Sequence, residues 1–112
     1  MKKFMAIYMA PQAAMQQAMK ATPEQMKAGM AEWMKWGEKN KKAIADMGAP
    51  LGKTKQVTAS GAADAHNEMG GYTIVEAASL DDAAKIFAGH PHFQMAKDAK
   101  IEIMEIMPMP GM

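Results

Sequence analysis

The stretch GGYTIVEAASLDDA, residues 70–83, decides the fold of this chain. Residues 72–77 are rich in aromatic and β-branched side chains, which predicts a strand. Ser79 follows at the position of a helix N-cap, and Asp81 and Asp82 place negative charge at the positive end of the helix dipole. We therefore predict that a strand passes directly into a helix that runs to about residue 88.

The beginning of the chain predicts another strand. Residues 3–9 are predicted as a strand, because the short apolar run at residues 4–10 suits a strand that is buried on both faces. The same start also resembles a secretion signal, because two lysines precede the run, but the run is short and contains Tyr8. We therefore favour the strand. No apolar stretch approaches the roughly 20 residues that cross a bilayer, so we expect no membrane partner.

Two helices are predicted after the first strand. Residues 12–20 form a short helical stretch, and Thr22-Pro23-Glu24-Gln25 carries the signature of a capping box with proline in the first turn. The longer helix is predicted over residues 23–47, and Gly48 is placed to end it in a left-handed conformation. Its mostly apolar stripe consists of Met26, Met30, Trp33, Gly37, Lys41 and Ile44, which recur at spacings of three and four.

The remaining segments complete an alternating pattern. Residues 51–59 predict a strand near a sheet edge, residues 60–71 a polar loop, and residues 101–107 the last strand before a flexible Met- and Pro-rich tail, 108–112. The predicted order is β-α-β-β-α-β, the ferredoxin-like α+β arrangement of an antiparallel sheet with two helices on one face. We expect a single domain over residues 1–112, with its core at about 3–107.

The other face of the predicted sheet has no cover within the chain. Because a strand such as residues 3–9 is apolar on both sides, that face should be buried, and a second copy of the chain is the simplest cover. We therefore expect a homodimer in which two sheets face each other.

Charge and composition exclude several functions. The net charge is +1, and the 13 basic residues are all lysines dispersed among 12 acidic residues. Without arginine or a basic block, we expect no nucleic-acid partner. The chain has no cysteine, which excludes disulfides, thiolate metal sites and a cysteine nucleophile, and suits a cytoplasmic protein.

These segments resemble a known family. Residues 70–83, together with Thr22-Pro23-Glu24 before the helix of Trp33, the Gly48 turn and His90-Pro91-His92 ahead of the last strand, are similar in order to YCII-related proteins. The resemblance implies a dimeric α+β barrel in which each sheet faces a cleft. The DGPF tetrapeptide of one branch is replaced here by Ala62-Ala63-Asp64-Ala65-His66-Asn67, so membership of that branch stays open.

The same resemblance implies a type of activity. One characterised YCII-related enzyme is a dehydrochlorinase of chlorinated hydroxyhydroquinone that relies on a histidine and aspartate pair in its N-terminal half. This chain has no histidine before His66, so that pair is not carried over. Most members of the family lack an assigned activity, and the resemblance therefore leaves the reaction open.

The three histidines, His66, His90 and His92, are the first candidates for acid–base chemistry, because imidazole ordinarily titrates near neutral pH. Pro91 favours an extended His90, so the rings of His90 and His92 could point the same way into a cleft. The two histidines could instead cap the end of the preceding helix.

Two further pairs are weaker candidates. Tyr8 and Tyr72 lie on predicted strands and could bring hydroxyl groups to the cleft. Asp64 and His66 could form an acid–base pair, or supply a third metal ligand beside the His-Pro-His segment, although loop residues of this kind are commonly solvated. Fifteen methionines would suit copper, but this side chain commonly fills apolar cores. We expect neither a metal nor another cofactor.

Two functions are consistent with these candidates. The first is a dimeric enzyme whose inter-sheet cleft holds a small apolar or aromatic molecule. In it, His90 or His92 accepts a proton and Tyr8 or Tyr72 orients the ligand, in a lyase- or isomerase-type reaction. The second is a non-catalytic dimeric module that binds a ligand or regulates a partner, with structural histidines.

Overall fold

The computed structural model describes residues 1–111, so Met112, the last residue of the predicted tail, lies outside the described residues. The elements, in chain order, are β1 Lys2–Met9, α1 Gln12–Met19, α2 Pro23–Lys39, β2 Ile44–Asp46, β3 Thr54–Thr58, β4 Gly61–Ala65, β5 Met69–Ala77, α3 Leu80–Ile86, a 3-10 turn Pro91–Gln94 and β6 Lys100–Glu105. No helix within residues 1–111 is long and apolar enough to cross a membrane.

Four strands form one antiparallel sheet in the order β2-β5-β1-β6. Helices α2 and α3 pack on one of its faces, where Trp36 of α2 and Phe87 after α3 join Phe4 and Val75 in the buried core. When the β3–β4 hairpin is set aside, the remaining elements follow the predicted β-α-β-β-α-β order, with α1 and α2 both in the place of the first helix. The second strand of the sheet, however, is Ile44–Asp46 and not the predicted segment 51–59. The mixed α+β class with an antiparallel sheet is therefore confirmed.

The start of α2 is confirmed, whereas its predicted apolar stripe packs against the core at Trp33 and not in the first turns of the helix. The Thr22 side chain accepts from the N–H of Gln25 at 3.1 Å, and the Thr22 N–H donates to the Gln25 side chain at 2.9 Å, which completes the predicted capping box. Met26 and Met30 are exposed, and Trp36 is the buried residue of this helix. The C-terminal turns make the core contacts, so they decide which side of α2 faces the sheet.

α2 ends at Lys39 rather than at residue 47, and part of its predicted last section forms β2 instead. Asn40 closes the helix, because its backbone N–H and its side-chain amide donate to the Trp36 carbonyl at 3.1 and 2.9 Å. Ile44 then pairs with Val75 in the sheet. This pairing partner lies far along the chain, so helical periodicity could not reveal it.

Gly48 has the predicted left-handed conformation, with a φ of 77°, but it serves the turn after β2 rather than the end of a helix. A Cβ at this position would lie 1.7 Å from the Tyr72 carbonyl oxygen, so glycine is required. The next residue, Ala49, accepts from the Tyr72 N–H at 3.3 Å, which extends the contact between this turn and β5.

β3 and β4 form a hairpin that is separate from the main sheet. The predicted strand at 51–59 is shorter in the structure, and the predicted loop at 60–71 is wrong where it contains β4 and the start of β5. Gly61 has a φ of 130° at the turn, and Lys55 pairs with Asp64 across the strands at 2.8 Å. Pairing with β3 therefore makes a strand of an alanine-rich segment that has little strand propensity.

The sheet face opposite the helices also carries apolar side chains. Met5 of β1 lies between Ile74 of β5 and Met104 of β6, and Ile7 pairs with Tyr72 of β5. Ile7 is buried, Met104 is exposed, and the other three are half-buried. We call this surface, Met5, Ile7, Tyr72, Ile74 and Met104, the open sheet face.

Candidate functional site

The end of β1 and the turn after α3 bring three predicted site residues together on the helix side of the sheet. The Tyr8 ring centroid lies 5.0 Å from that of His90 and 5.3 Å from that of His92. All three side chains are buried, with relative exposures of 3, 1 and 4%. Ser79 begins α3 as predicted, and Gly89, with a φ of 73°, turns the chain so that His90 enters the core.

His90 uses one ring nitrogen to start the 3-10 turn. Its Nδ1 accepts a hydrogen bond from the backbone N–H of His92 at 2.9 Å. His90 is thus the N-cap of the turn that follows it, and the alternative that it caps the end of α3 is wrong. Because Nδ1 must be an acceptor, the neutral ring carries its hydrogen on Nε2.

The other nitrogen of His90 has no partner. Within residues 1–111, His90 Nε2 is the one buried side-chain nitrogen or oxygen atom that makes no hydrogen bond. Burial, with a smaller contribution from the neighbouring His92, lowers the pKa of His90 to about 4. The His90 imidazole is therefore neutral at pH 7 and presents an N–H donor at Nε2, which suits polarisation of an oxygen better than removal of a proton.

His92 has the complementary arrangement. Its Nε2 lies 2.9 Å from the carbonyl oxygen of Met9, and since a carbonyl can only accept, Nε2 carries a hydrogen. The Nδ1 of neutral His92 therefore retains its lone pair. Protonation of Nδ1 would leave the bond to Met9 intact, so His92 can take up a proton without losing its anchor.

Tyr8 belongs to a buried chain of hydrogen bonds. Its hydroxyl lies 2.7 Å from Thr73 Oγ1, and Thr73 donates to the Met47 carbonyl at 2.9 Å. Because Thr73 has a single hydroxyl hydrogen, Tyr8 must be the donor in the first bond. Burial raises the pKa of Tyr8 to about 12, and the bond to Thr73 acts in the opposite direction. Tyr8 is therefore a neutral phenol at pH 7.

Aromatic rings enclose the His90 imidazole. Trp33 and Trp36 of α2 approach it edge to face, with ring centroids 4.5 and 4.4 Å away, and Phe87 lies at 5.9 Å. Trp36 is fixed by a hydrogen bond from its indole N–H to the Ile86 carbonyl at 3.0 Å. Trp33 is half-buried and also packs against Tyr8 at 4.7 Å. These rings make the surroundings of Nε2 apolar.

The other predicted site residues lie elsewhere. Tyr72 belongs to the open sheet face, on the opposite side of the sheet from Tyr8. Asp64 sits on the β3–β4 hairpin, where it pairs with Lys55, and His66 is exposed just beyond that hairpin. The expected location of the histidines between two sheets is therefore wrong. The β1 register turns Tyr8 toward the helices, and His90 and His92 are buried beside Tyr8 on that side of the sheet.

Sequence reasoning missed three residues of this cluster: Thr73, Trp33 and Trp36. Thr73 could have been noticed as a polar residue between Tyr72 and Ile74 in an otherwise apolar strand. The tryptophans gave a weaker signal, because their roles depend on which side of α2 meets the sheet.

Within residues 1–111, no group of three histidine, aspartate or glutamate side chains is placed to hold a metal ion.

Comparison with known proteins identifies a family for this chain. The family model for the YCII-related domain matches residues 1–110. No curated protein matches the sequence significantly. Among solved structures, the fold is similar to 5-chloro-2-hydroxyhydroquinone dehydrochlorinase (TftG) from Burkholderia phenoliruptrix AC1100 in complex with 2,5-dihydroxybenzoquinone. The two share 17% sequence identity over 91% of each chain, with a TM-score of 0.50, a likeness that concerns the fold.

Proposed function

This chain belongs to the YCII-related domain family, and from that premise we propose that it binds a small planar aromatic or quinone-type molecule at the cluster of Tyr8, His90 and His92. The observation that carries the proposal is the unpartnered Nε2–H of buried His90. A buried donor without an acceptor costs about 1–3 kcal/mol. The faces of the surrounding rings are weak acceptors, so an oxygen atom of a ligand would relieve this cost.

The same geometry supports a proton-transfer reaction of the lyase or isomerase type. An sp3 C–H next to a ligand carbonyl, such as the CH2 carbon in the keto tautomer of a hydroxyquinone, would give its proton to His92 Nδ1, and its electron pair would move onto the carbonyl oxygen. His90 Nε2–H would stabilise the resulting oxyanion by a hydrogen bond in an apolar setting. Return of the proton to another carbon gives an isomerase, whereas departure of a leaving group as an anion gives a lyase.

The choice of a quinone-type ligand is supported by analogy with the solved structure that shares the fold. That dehydrochlorinase was solved with 2,5-dihydroxybenzoquinone, a flat ring that carries carbonyl oxygens. Because folds host many functions, the analogy contributes a ligand class and no assignment of residues. Aromatic walls and a few convergent polar groups are typical of sites for such molecules.

Isothermal titration with 2,5-dihydroxybenzoquinone tests binding. We expect the His90→Asn variant, whose side-chain oxygen can still accept from the N–H of residue 92, to bind at least about tenfold more weakly, because it lacks the Nε2 donor. The exposed His66 provides the matched control, and His66→Asn should bind like the unmodified protein. Equal binding by the His90→Asn variant, or no binding by any of the three proteins, would refute the proposal.

Exchange of the ring hydrogens of the same quinone for deuterium, followed by proton NMR in D2O, tests catalysis. The exchange passes through the keto tautomer, in which a deuteron has added to the ring carbon and the base then removes the original proton. The unmodified protein should accelerate exchange, and His92→Gln should remove the acceleration, because glutamine can donate to the Met9 carbonyl but cannot take up a proton. Binding without accelerated exchange would identify the alternative function, a non-catalytic ligand-binding module. One observation favours that alternative, because both histidines also have structural roles. His90 caps the 3-10 turn, and His92 attaches the turn to the Met9 carbonyl of β1.

We also propose that two copies of the chain pair through the open sheet face. Support comes from its apolar side chains, among which Met5, Tyr72 and Ile74 are only half-buried in the single chain. Light scattering after gel filtration should report a dimer, and Ile74→Glu should give a monomer. Val57→Glu, at an exposed position on the hairpin, should stay dimeric. A monomeric unmodified protein would contradict this proposal.

A further inference from the structure

We infer that the Trp33 indole occupies the space in which the ligand binds. We call this side chain the plug of the site, because a planar molecule must displace it in order to bind. This inference rests on the proposed function, because it assumes that the cluster of Tyr8, His90 and His92 is the ligand site. Beyond that function, the inference specifies that the ligand enters past Trp33 and that it is about as large as an indole ring. Trp33 would be a specificity-determining residue that acts by competition for the site.

The first argument is the position of the indole. Trp33 contacts the two rings that line the site, at 4.7 Å from Tyr8 with an interplanar angle of 67° and at 4.5 Å from His90 with an angle of 86°. His90 is 1% exposed, whereas Trp33 is half-buried, so among the two rings Trp33 is the one that also reaches solvent. Removal of this one side chain would leave a solvent-connected space beside the His90 ring, and this space is the inferred route of the ligand to the Nε2 donor.

The second argument is the uneven attachment of α2. Its C-terminal turns are held firmly, because Trp36 is buried and bonded to Ile86, and because Gly37 lies close to the Met47 side chain. Its N-terminal turns carry exposed side chains, such as Met26 at 51% and Met30 at 64%. A tilt of α2 about Trp36 would therefore move Trp33 and uncover the rings of Tyr8 and His90, while the already exposed side chains of the first turns lose no contacts with the core.

The third argument is chemical. The Trp33 indole fills space beside His90, but it offers an aromatic ring and an N–H donor, neither of which is a good acceptor for the Nε2–H of His90. A one- or two-ring molecule with a carbonyl or phenolate oxygen has a similar shape and also supplies the missing acceptor. Such a molecule would gain a hydrogen bond that Trp33 cannot make, and this gain would drive the displacement.

Titration of a Trp33→Ala variant tests the plug. We expect 2,5-dihydroxybenzoquinone to bind about tenfold more tightly than to the unmodified protein, because no plug has to leave. Indole, which matches the deleted side chain, should bind the Trp33→Ala variant and not the unmodified protein. Met34→Ala, the neighbouring exposed position on α2, serves as the control and should change neither affinity. A folded Trp33→Ala variant that shows neither gain would overturn the inference.

A second measurement keeps the test independent of the stability of that variant. In protein labelled with 5-fluorotryptophan, the fluorine signal of Trp33 should move toward the solvent-exposed position when the quinone binds, and the Trp36 signal should stay. Bound quinone with an unmoved Trp33 signal would overturn the plug. The proposed function fails separately, through unchanged binding in the His90→Asn variant, so the two failures are distinguishable.

Discussion

The Nδ1 of His90 accepts a hydrogen bond from the backbone N–H of His92 at 2.9 Å. This one bond starts the 3-10 turn and also decides which nitrogen of His90 carries the hydrogen. Formation of the turn therefore directs an N–H donor into an apolar, ring-lined space. The local fold and the proposed chemistry depend on the same contact.

The cap contributed by His90 is testable by stability measurements. We expect His90→Asn to be more stable than His90→Ala by about 1 kcal/mol, because asparagine is a good N-cap and alanine leaves the N–H of residue 92 without an acceptor. Urea denaturation at pH 7 gives the two free energies of unfolding. Equal stabilities would show that the Nδ1 contact contributes nothing to the fold.

Stability should fall as the pH is lowered from 6.5 to 4. His90 has a pKa of about 4 in the folded protein and an ordinary value of 6.5 when unfolded, so the unfolded chain binds more protons between these values. Its contribution, about 3 kcal/mol at neutral pH, is fully present above pH 6.5 and is lost toward pH 4. The titratable side chains packed against His90 are Tyr8, which stays protonated, and His92.

The matched variants separate the effect of His90 from that of other groups. Denaturation at several pH values should show a much flatter profile for His90→Asn, whereas His66→Asn should keep the slope of the unmodified protein. A His90→Asn profile as steep as that of the unmodified protein would contradict the assignment of this pH dependence to His90.

The Tyr8 phenol should ionise only at unusually high pH, in a titration step that we call the late step. Burial holds its pKa at about 12, so absorbance at alkaline pH should show a phenol that ionises well above the ordinary value of 10. Tyr8→Phe should remove this late step, and Tyr72→Phe should keep it. Because the unfolded chain ionises first, this group also lowers stability as the pH rises from 10 to 12. Loss of the late step in Tyr72→Phe would contradict the assignment to Tyr8.

Gly48 should tolerate no side chain. Its φ of 77° costs a non-glycine residue about 1–2 kcal/mol, and a Cβ would lie 1.7 Å from the Tyr72 carbonyl oxygen. We expect Gly48→Ala to lose more than about 2 kcal/mol of unfolding free energy. Gly52→Ala, where a Cβ would meet nothing within 4 Å, should stay within about 0.5 kcal/mol. If Gly48→Ala and Gly52→Ala lost similar amounts of unfolding free energy in thermal or urea denaturation, this turn would not be constrained as described.

The parts of the fold that sequence predicted are those with local signals. β5 and α3 follow from a β-branched run and the Ser79 cap, and α2 begins where the Thr22 capping box predicts. The errors lie where distant pairing overrides local preference. Ile44 leaves the predicted helix because it pairs with Val75, and the Gly61–Ala65 segment becomes a strand because β3 lies beside it.

The candidate site was predictable by residue type and not by position. Tyr8, His90 and His92 were named because phenol and imidazole groups suit proton transfer, but only the sheet register turns Tyr8 toward the helices. The predicted stripe puts Trp33 on one face with Met26, but only Trp33 of the two packs against the core, where Trp36 is the buried residue of the helix. Which nitrogen of each imidazole carries the hydrogen depends on its hydrogen-bond partners, and no sequence pattern specifies these partners.

The most direct test of the ligand site at His90 is long-range proton–nitrogen NMR of the histidine side chains at neutral pH, before and after addition of 2,5-dihydroxybenzoquinone. In the free protein, His90 should be neutral, with hydrogen on Nε2 and none on Nδ1. On addition of the quinone, the Nε2 proton should shift strongly downfield as it gains an oxygen acceptor, while the His66 signals stay unchanged. Quinone that binds the protein and leaves the His90 signals unmoved would contradict the account.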